Sequence, residues 1–228
     1  MLGTYQNIDC MELMATLPDK SIDLAIVDPP YGKMPSRGGY GLTKRNYTQN
    51  DNKWDILPEK KYYMELMRVS KNQIIWGANH LLENLYSSNC FIVWDKKNES
   101  SVMADCELAW TSFKSVTKIF RFTWNGMLQE NMIQKETRIH PTQKPVKLYE
   151  WLLSNYAKPN DLILDTHCGS ASSLIACENL GFKYIASELD KDYYSQSLQR
   201  LEAHLAQGKL FQRVGRDEIR LEQPSMFA

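Results

Sequence analysis

The apolar run Leu24-Ala25-Ile26-Val27 stops at Asp28-Pro29-Pro30-Tyr31, and this junction constrains the chain more than any other feature. The run reads as a short buried strand. Two successive prolines have fixed φ and no N–H, so neither a sheet ladder nor a helix continues through them. The turn they force is rigid, with a carboxylate at its start and an aromatic ring at its end. Its backbone carbonyls lack regular partners and can accept from a ligand. Two neighbouring acceptors, the Asp28 carboxylate and the Pro29 carbonyl, suit an –NH2 group with two hydrogens to give. Tyr31 can then stack on the planar ring that carries the amine. For these four residues alone, an ordinary strand-ending turn with a solvated Asp28 fits equally well.

The segments on either side place this turn in an α/β chain. Tyr5 to Ile8 is a short strand, Asp9 stands where an N-cap would, and Met11, Met14 and Leu17 recur at helical spacing. Strand, helix and strand within about twenty residues make a βαβ unit and imply a parallel sheet. Ligands gather at the carboxyl ends of such strands, where Asp9 and Asp28 both fall. Taken alone, Asp9 reads as a cap.

Pro58 is expected to open a helix through Tyr62, Leu66 and Val69. Gln73–Trp76 reads as a strand broken at Gly77-Ala78-Asn79, with Asn79 placed to cap a following helix. Cys90–Trp94 is a further strand. Leu108–Phe113 and Val116–Trp124 alternate as a β-ribbon whose aromatics Phe120, Phe122 and Trp124 belong to the core. Gly126 to Arg138 reads as a polar connection. His140-Pro141-Thr142-Gln143-Lys144-Pro145 leads into a helix over Val146–Tyr156, and a helix N-terminus near Thr142 and Lys144 suits a carboxylate as well as solvent. Asp161–Asp165 is a strand, Ser173 to Gly181 a helix that glycine ends, and Lys183–Ser187 a strand closed by Glu188. A last helix runs from Asp190 to about Gly208, with Tyr194, Leu198, Leu201 and Leu205 on its buried stripe.

With 228 residues and 43% hydrophobic content, the chain suits one α/β core. No apolar run is long enough to cross a bilayer and no signal segment is evident, so a cytoplasmic protein is expected. The five cysteines have no C-x-x-C pair or zinc-like spacing, so they are expected reduced and no metal is expected. The net charge is zero, so any nucleic-acid face has to be local. The stretch Gly32 to Asp55 supplies one. Lys33, Arg37, Lys44, Arg45 and Lys53 alternate there with glycines and aromatics, a composition that suits phosphates and bases.

Strand, small-residue turn, helix, then a strand ending in an acid is the first half of a Rossmann-like nucleotide site, in which Glu188 would accept from ribose hydroxyls. By itself that pattern is shared with dehydrogenases. Asp9-Cys10, Asp28-Pro29-Pro30-Tyr31, Trp76-Gly77-Ala78-Asn79, His140 to Pro145, Asp165 to Ser172 and Glu188-Leu189-Asp190 together resemble the circularly permuted β group of DNA amino-methyltransferases. In that group the catalytic half precedes the cofactor half. The resemblance spans about Tyr5 to Leu201 and is greatest to the small phage-type DNA N6-adenine methylases.

It implies one methyltransferase domain over 1–228, with a catalytic half at 1–125, a cofactor-binding half at 139–208 and a DNA-contacting loop at 32–55. The expected fold is Rossmann-like, mostly parallel, circularly permuted, with an antiparallel edge ribbon. The resemblance further implies S-adenosylmethionine as methyl donor and DNA, with its target base flipped out, as substrate. Asp28, Pro29, Pro30 and Tyr31 would be catalytic, Asp28 also bordering the cofactor. Asp165, Cys168, Gly169, Ser170 and Ala171 would hold the methionine part with Thr142 and Lys144. Glu188 and Leu189 would meet the ribose, Asp9 and Cys10 would flank the adenine, and His167 would cover the cofactor. Asp28 in the first motif position leans towards adenine N6 over cytosine N4. RNA methylation and a catalytically silent DNA-binding relative are alternatives.

The turn departs from the family's Asp-Pro-Phe-x-Gly-Ser-Gly-Thr at Thr166, His167, Ala171 and Ser172. Ala171 tolerates positive φ less well than glycine. No inserted recognition domain is present in the sequence, so DNA reading falls to the basic loop, the Gly126–Arg138 connection, or a second subunit of a homodimer.

Overall fold

The carboxyl ends of the strands decide where this molecule does its chemistry, and the sheet order decides which ends meet. A computed structural model describes residues 1–32, 55–98, 104–125 and 128–221, the backbone alone beyond 207. In chain order its elements begin with β1 (Thr4–Gln6), α1 (Cys10–Ala15), β2 (Ile22–Val27), α2 (Lys60–Val69) and β3 (Ser70–Trp76). Next come β4 (Phe91–Asp95), β5 (Cys106–Thr111), β6 (Lys118–Arg121), β7 (Trp124–Asn125) and β8 (Leu128–Gln129). The chain continues with α3 (Val146–Tyr156), β9 (Leu162–Asp165), α4 (Ser172–Leu180), β10 (Lys183–Ser187) and α5 (Lys191–Leu221). No helix among the described residues is long and apolar enough to cross a membrane.

Eight strands form one sheet in the order β1-β10-β9-β2-β3-β5-β4-β6. Every pairing that avoids β5 is parallel, and β5 runs antiparallel to both β3 and β4. The fold is therefore α/β and mostly parallel. Strands β9 and β10, late in sequence, lie between β1 and β2, so the second half of the chain is threaded into the middle of the first.

The apolar runs are continuous because the sheet is buried on both faces. Along β2, Leu24 and Ile26 enter one core with Ile74, Trp76 and Ile163, while Ala25 and Val27 enter the other with Ile75 and Leu164. Helices α3 and α4 cover the first face through Leu148, Leu152, Leu153, Leu174 and Ile175, joined by Leu201 of α5. Helices α1 and α2 cover the second through Leu13, Met14, Tyr62, Tyr63, Leu66 and Val69.

Four expectations are corrected. The segments read as a β-ribbon do not pair with each other: β5 enters the sheet between β3 and β4, and β6 pairs parallel with β4. Phe120 and Phe122 of that segment do pack on the core, their rings stacked at 5.7 Å. Asn79 caps no helix. Gly77 turns the chain at φ +74, and only two short 3-10 turns, Ala78–His80 and Leu82–Asn84, follow. Pro58 lies just before the first turn of α2, whose N-cap is Glu59. Finally, α5 continues past Gly208 to Leu221. Within the Gly126–Arg138 connection, Leu128 and Gln129 pair antiparallel with Asn125 and Trp124.

Candidate active site

A cleft of about 630 Å³ opens over the carboxyl ends of β1, β2, β9 and β10. Of the residues singled out in the sequence, Asp9, Cys10, Asp28, Pro29, Pro30, Tyr31, Thr142, Lys144, His167, Cys168, Gly169, Ser170, Glu188 and Leu189 line it. Asp165 and Ala171 lie behind the lining, both buried. Lys33, Arg37, Lys44, Arg45 and Lys53 fall outside the described residues.

At one end of the cleft β2 delivers Asp28, and both of its carboxylate oxygens are engaged. Oδ1 accepts from the Tyr31 hydroxyl. Oδ2 accepts from the ammonium of Lys144 at 2.5 Å. That ammonium also lies 3.1 Å from Oε2 of Glu107 and 5.3 Å from the Trp76 ring centroid. Burial works against the charge on Lys144, but Asp28 and Glu107 outweigh it and raise its pKa. Burial likewise works to raise Glu107, and Lys144 with Lys96 overcomes it, holding the carboxyl at about 2.

The ring expected to stack on a substrate has partners within the chain. Tyr31 stacks on His80 at 5.2 Å, and its edge covers Gly77, where an added Cβ would lie 2.1 Å from the ring. Its backbone N–H and that of Gly32 donate to Asp55 Oδ1 at 3.1 and 3.0 Å, fixing the exit from the double-proline turn. Burial and the adjacent Asp28 push the Tyr31 phenol well above its usual range, so it serves as a neutral donor.

The other end is built by the turn after β9. Asp165 accepts from the His167 N–H at 3.1 Å and from the Ser173 hydroxyl, tying the turn to the first residues of α4. Burial raises the Asp165 carboxyl to about 7. The Cys168 N–H donates to Ser187 O at 3.1 Å. Gly169 has φ +53 and packs under the His140 ring, and its N–H donates to Glu188 Oε2 at 2.8 Å. Glu188 Oε1 accepts from the Asp190 N–H at 3.0 Å. Ala171 holds φ +60, the left-handed conformation that costs a residue with a Cβ roughly 1–2 kcal/mol. Arg200 braces the turn from α5, donating to Ser170 O at 2.6 Å and pairing with Glu136 at 2.6 Å.

Asp9 caps α1, its Oδ1 accepting from the Met11 N–H at 2.7 Å, and the residue also borders the cleft. His167 is held neutral, burial taking its pKa down to about 4. Its ring meets Tyr62 edge-on at 5.2 Å. Tyr62 also bonds the Thr166 hydroxyl at 2.7 Å. Sequence reading placed Tyr62 in a helix and missed that the residue borders the cleft. It missed Glu107 and Asp55 as well, because neither sits in a motif. Lys144, assigned by resemblance to the methionine end, directs its ammonium to Asp28 and Glu107, while the Thr142 hydroxyl meets His140 Nδ1 at 3.0 Å.

The residues present fit a nucleoside cofactor. Each Glu188 oxygen holds one backbone N–H and retains a second lone pair for a hydroxyl. The small-residue turn brings backbone close to the same point, and Met11, Ile56, Pro58 and Tyr62 add apolar and aromatic groups to the lining.

A mostly parallel sheet with such a turn after one strand and an acid ending the next makes a Rossmann-like fold. Solved structures share it: the M1.HpyAVI complex with S-adenosylmethionine matches at TM-score 0.55 and 23% identity, covering 87% of this chain and 99% of that one. The PvuII DNA methyltransferase, described as cytosine-N4-specific, matches at TM-score 0.59 and 15% identity, covering 87% and 86%. A family model for N6 and N4 methyltransferases, described as DNA methylase, matches residues 22–199, and the chain belongs to that family. Its methyl donor is S-adenosylmethionine. Among curated relatives, the type II methyltransferase M.HinfI of Haemophilus influenzae is 25% identical over 88% of this chain and 68% of its own length. The methylase YubD of Escherichia coli K12 is 25% identical over 86% and 88%.

Proposed function

We propose that this chain methylates the exocyclic N6 amine of adenine in DNA, with the target base turned out of the duplex into the cleft beside Asp28. The observation that carries the reading is the state of Asp28. It is a carboxylate at the mouth of a parallel sheet, held by a double proline, and it already accepts an O–H from Tyr31 at Oδ1. An amine N–H that displaces this hydroxyl finds an acceptor ready in place.

An aromatic amine is a poor nucleophile because its lone pair is delocalised into the ring. Accepting its hydrogens at Asp28 and at the Pro29 carbonyl favours tetrahedral nitrogen and aims the lone pair along the line of attack. S-adenosylmethionine supplies a methyl group on a sulfonium, an electrophile that needs no further activation. Glu188 and the backbone of residues 167–170 bind and orient that donor, Asp9 and Cys10 border its base, and His167, neutral and backed by Tyr62, closes the wall between them. Asp165 acts from behind by holding the turn.

Asp28 rather than serine at the head of the motif favours N6 of adenine over N4 of cytosine. For DNA contact, the five basic residues between 33 and 53 are the strongest candidates, with the 126–138 connection or a homodimer partner as further reading surface. A protein with this substrate works where DNA lies, in the cytoplasm.

The test is transfer of labelled methyl from S-adenosylmethionine to unmethylated DNA, followed by nucleoside analysis. N6-methyladenine is expected. N4-methylcytosine would move the specificity, label in RNA alone would move the substrate, and no transfer with intact DNA binding would point to a silent relative.

A further inference from the structure

The reaction proposed above uses Asp28, yet the structure surrounds that carboxylate with a charge arrangement the motif does not contain. Lys144 lies between two carboxylates, 2.5 Å from Asp28 Oδ2 and 3.1 Å from Glu107 Oε2. It is almost entirely buried, its side chain 3% exposed. Glu107 in turn holds Lys96. Two anions and two cations thus alternate along one line, Asp28, Lys144, Glu107, Lys96.

Glu107 reaches this place because of strand direction. It is the second residue of β5, paired with Trp94 of β4. Since β5 runs antiparallel, its start rather than its end lies at the rim where the parallel strands deliver their acids.

We infer that Glu107 is a positioning residue for methyl transfer: it shares Lys144 with Asp28 and balances the ammonium's charge beside the reacting amine. Transfer breaks the donor's S–CH3 bond, whose electron pair stays on sulfur, and turns the amine lone pair into the new N–C bond, so the nitrogen is positive until its proton passes to solvent. A buried ammonium paired with Asp28 alone would draw the carboxylate's electron density towards itself and would oppose that developing charge. With Glu107 present, the four groups sum to zero, and Asp28 keeps its capacity to accept from the amine. The role rests on the reading of Asp28 as the amine's acceptor.

The test compares Glu107→Gln, Glu107→Asp and Asp28→Ala in the full chain, with kcat and the KM for S-adenosylmethionine and for DNA measured for each. Glu107→Gln is expected to lower kcat about tenfold or more while both KM values stay within about twofold. Glu107→Asp, which keeps the charge on a shorter arm, is expected to recover part of the loss.

The pH profile separates positioning from a packing defect. Lys144 faces Asp28 and Glu107, with Lys96 beyond Glu107 and the His140 imidazole within reach of its charge, while Tyr31 and Tyr149 face the two carboxylates. Removing one of its two anions makes its proton easier to lose, so the alkaline limb of kcat should move to lower pH in Glu107→Gln. A lowered plateau with an unmoved limb, a loss confined to KM, or wild-type kcat overturns the inference. If Glu107→Gln does not fold, Glu107→Ala carries the test, and a wild-type kcat or an unmoved alkaline limb in that variant rejects it. Asp28→Ala with full activity sinks the proposed function itself. An inactive Asp28→Ala beside a wild-type Glu107→Gln sinks only the role of Glu107.

Discussion

Asp28 and Lys144, 116 positions apart in sequence, meet at 2.5 Å between Oδ2 and Nζ. The contact joins the strand end before the double proline to the loop that starts α3, and so ties the first half of the chain to the second across the cleft. Breaking a buried pair by removing one partner leaves an uncompensated charge, which typically costs about 3–5 kcal/mol.

Lys144→Met should therefore lower stability by about 3 kcal/mol in urea unfolding at neutral pH. Adding Asp28→Asn to it should restore part of that loss, since the stranded carboxylate is then gone. Additive losses in the double variant would show that the contact contributes nothing to the folded state.

Asp28→Ala should leave S-adenosylmethionine affinity nearly intact and lower turnover by about 10²-fold or more, the scale for losing a preorganised transition-state contact. Single-turnover kinetics at saturating cofactor measure this directly. A wild-type rate would remove Asp28 from the chemistry.

Glu188→Ala should weaken S-adenosylmethionine binding by roughly 1.5–3 kcal/mol, the contribution of hydrogen bonds to a charged acceptor. It also frees the Gly169 N–H, so the turn should loosen along with the ribose site. Titration calorimetry reads the affinity, and an unchanged value would take Glu188 out of the pocket.

Buried histidines and buried carboxylates pull the pH dependence of stability in opposite directions across the mildly acidic range. His140 and His167 both have folded pKa values lowered to about 4 by burial, against an ordinary 6.5, so the unfolded chain binds more protons between those values. Their stabilisation is complete above pH 6.5 and is lost as the pH falls. Asp165, raised to about 7, works the other way and removes stability as the pH climbs from 4 to 7. Glu136 and Glu188, also raised by burial, act in the same direction as Asp165. His167→Gln should make stability rise less with pH, and Asp165→Asn should make it rise more, as read from denaturation midpoints between pH 4 and 7. A steeper slope in His167→Gln would contradict the assignment.

Replacing Lys44 and Arg45 together by alanine should weaken DNA binding and reduce its salt slope by up to about 2, if both touch phosphate. S-adenosylmethionine affinity should not move. An unaltered salt slope would shift DNA reading to the 126–138 connection or to a second subunit.

Local chemistry made much of this protein legible from its sequence. The apolar run before Asp28 is β2, Pro145 precedes the first residue of α3, and Gly181 ends α4 in the left-handed conformation that glycine adopts most easily. The residues proposed from sequence as catalytic or cofactor-binding converge in space, since fourteen of the sixteen line one cleft. Ala171 was identifiable as a strained position, and its φ is +60.

What the sequence could not contain is which strand lies beside which. Periodicity defines a strand but not its neighbour, so β6 was paired with β5 in sequence reading while the sheet pairs it with β4. The antiparallel run of β5 then carries Glu107 to the rim of the sheet, and the threading of β9 and β10 between β1 and β2 brings the two halves of the cleft together. The partners of Lys144 were hidden for the same reason. A charge on a loop looks solvated until long-range packing removes the water and leaves two carboxylates within reach, and only the tertiary structure decides that.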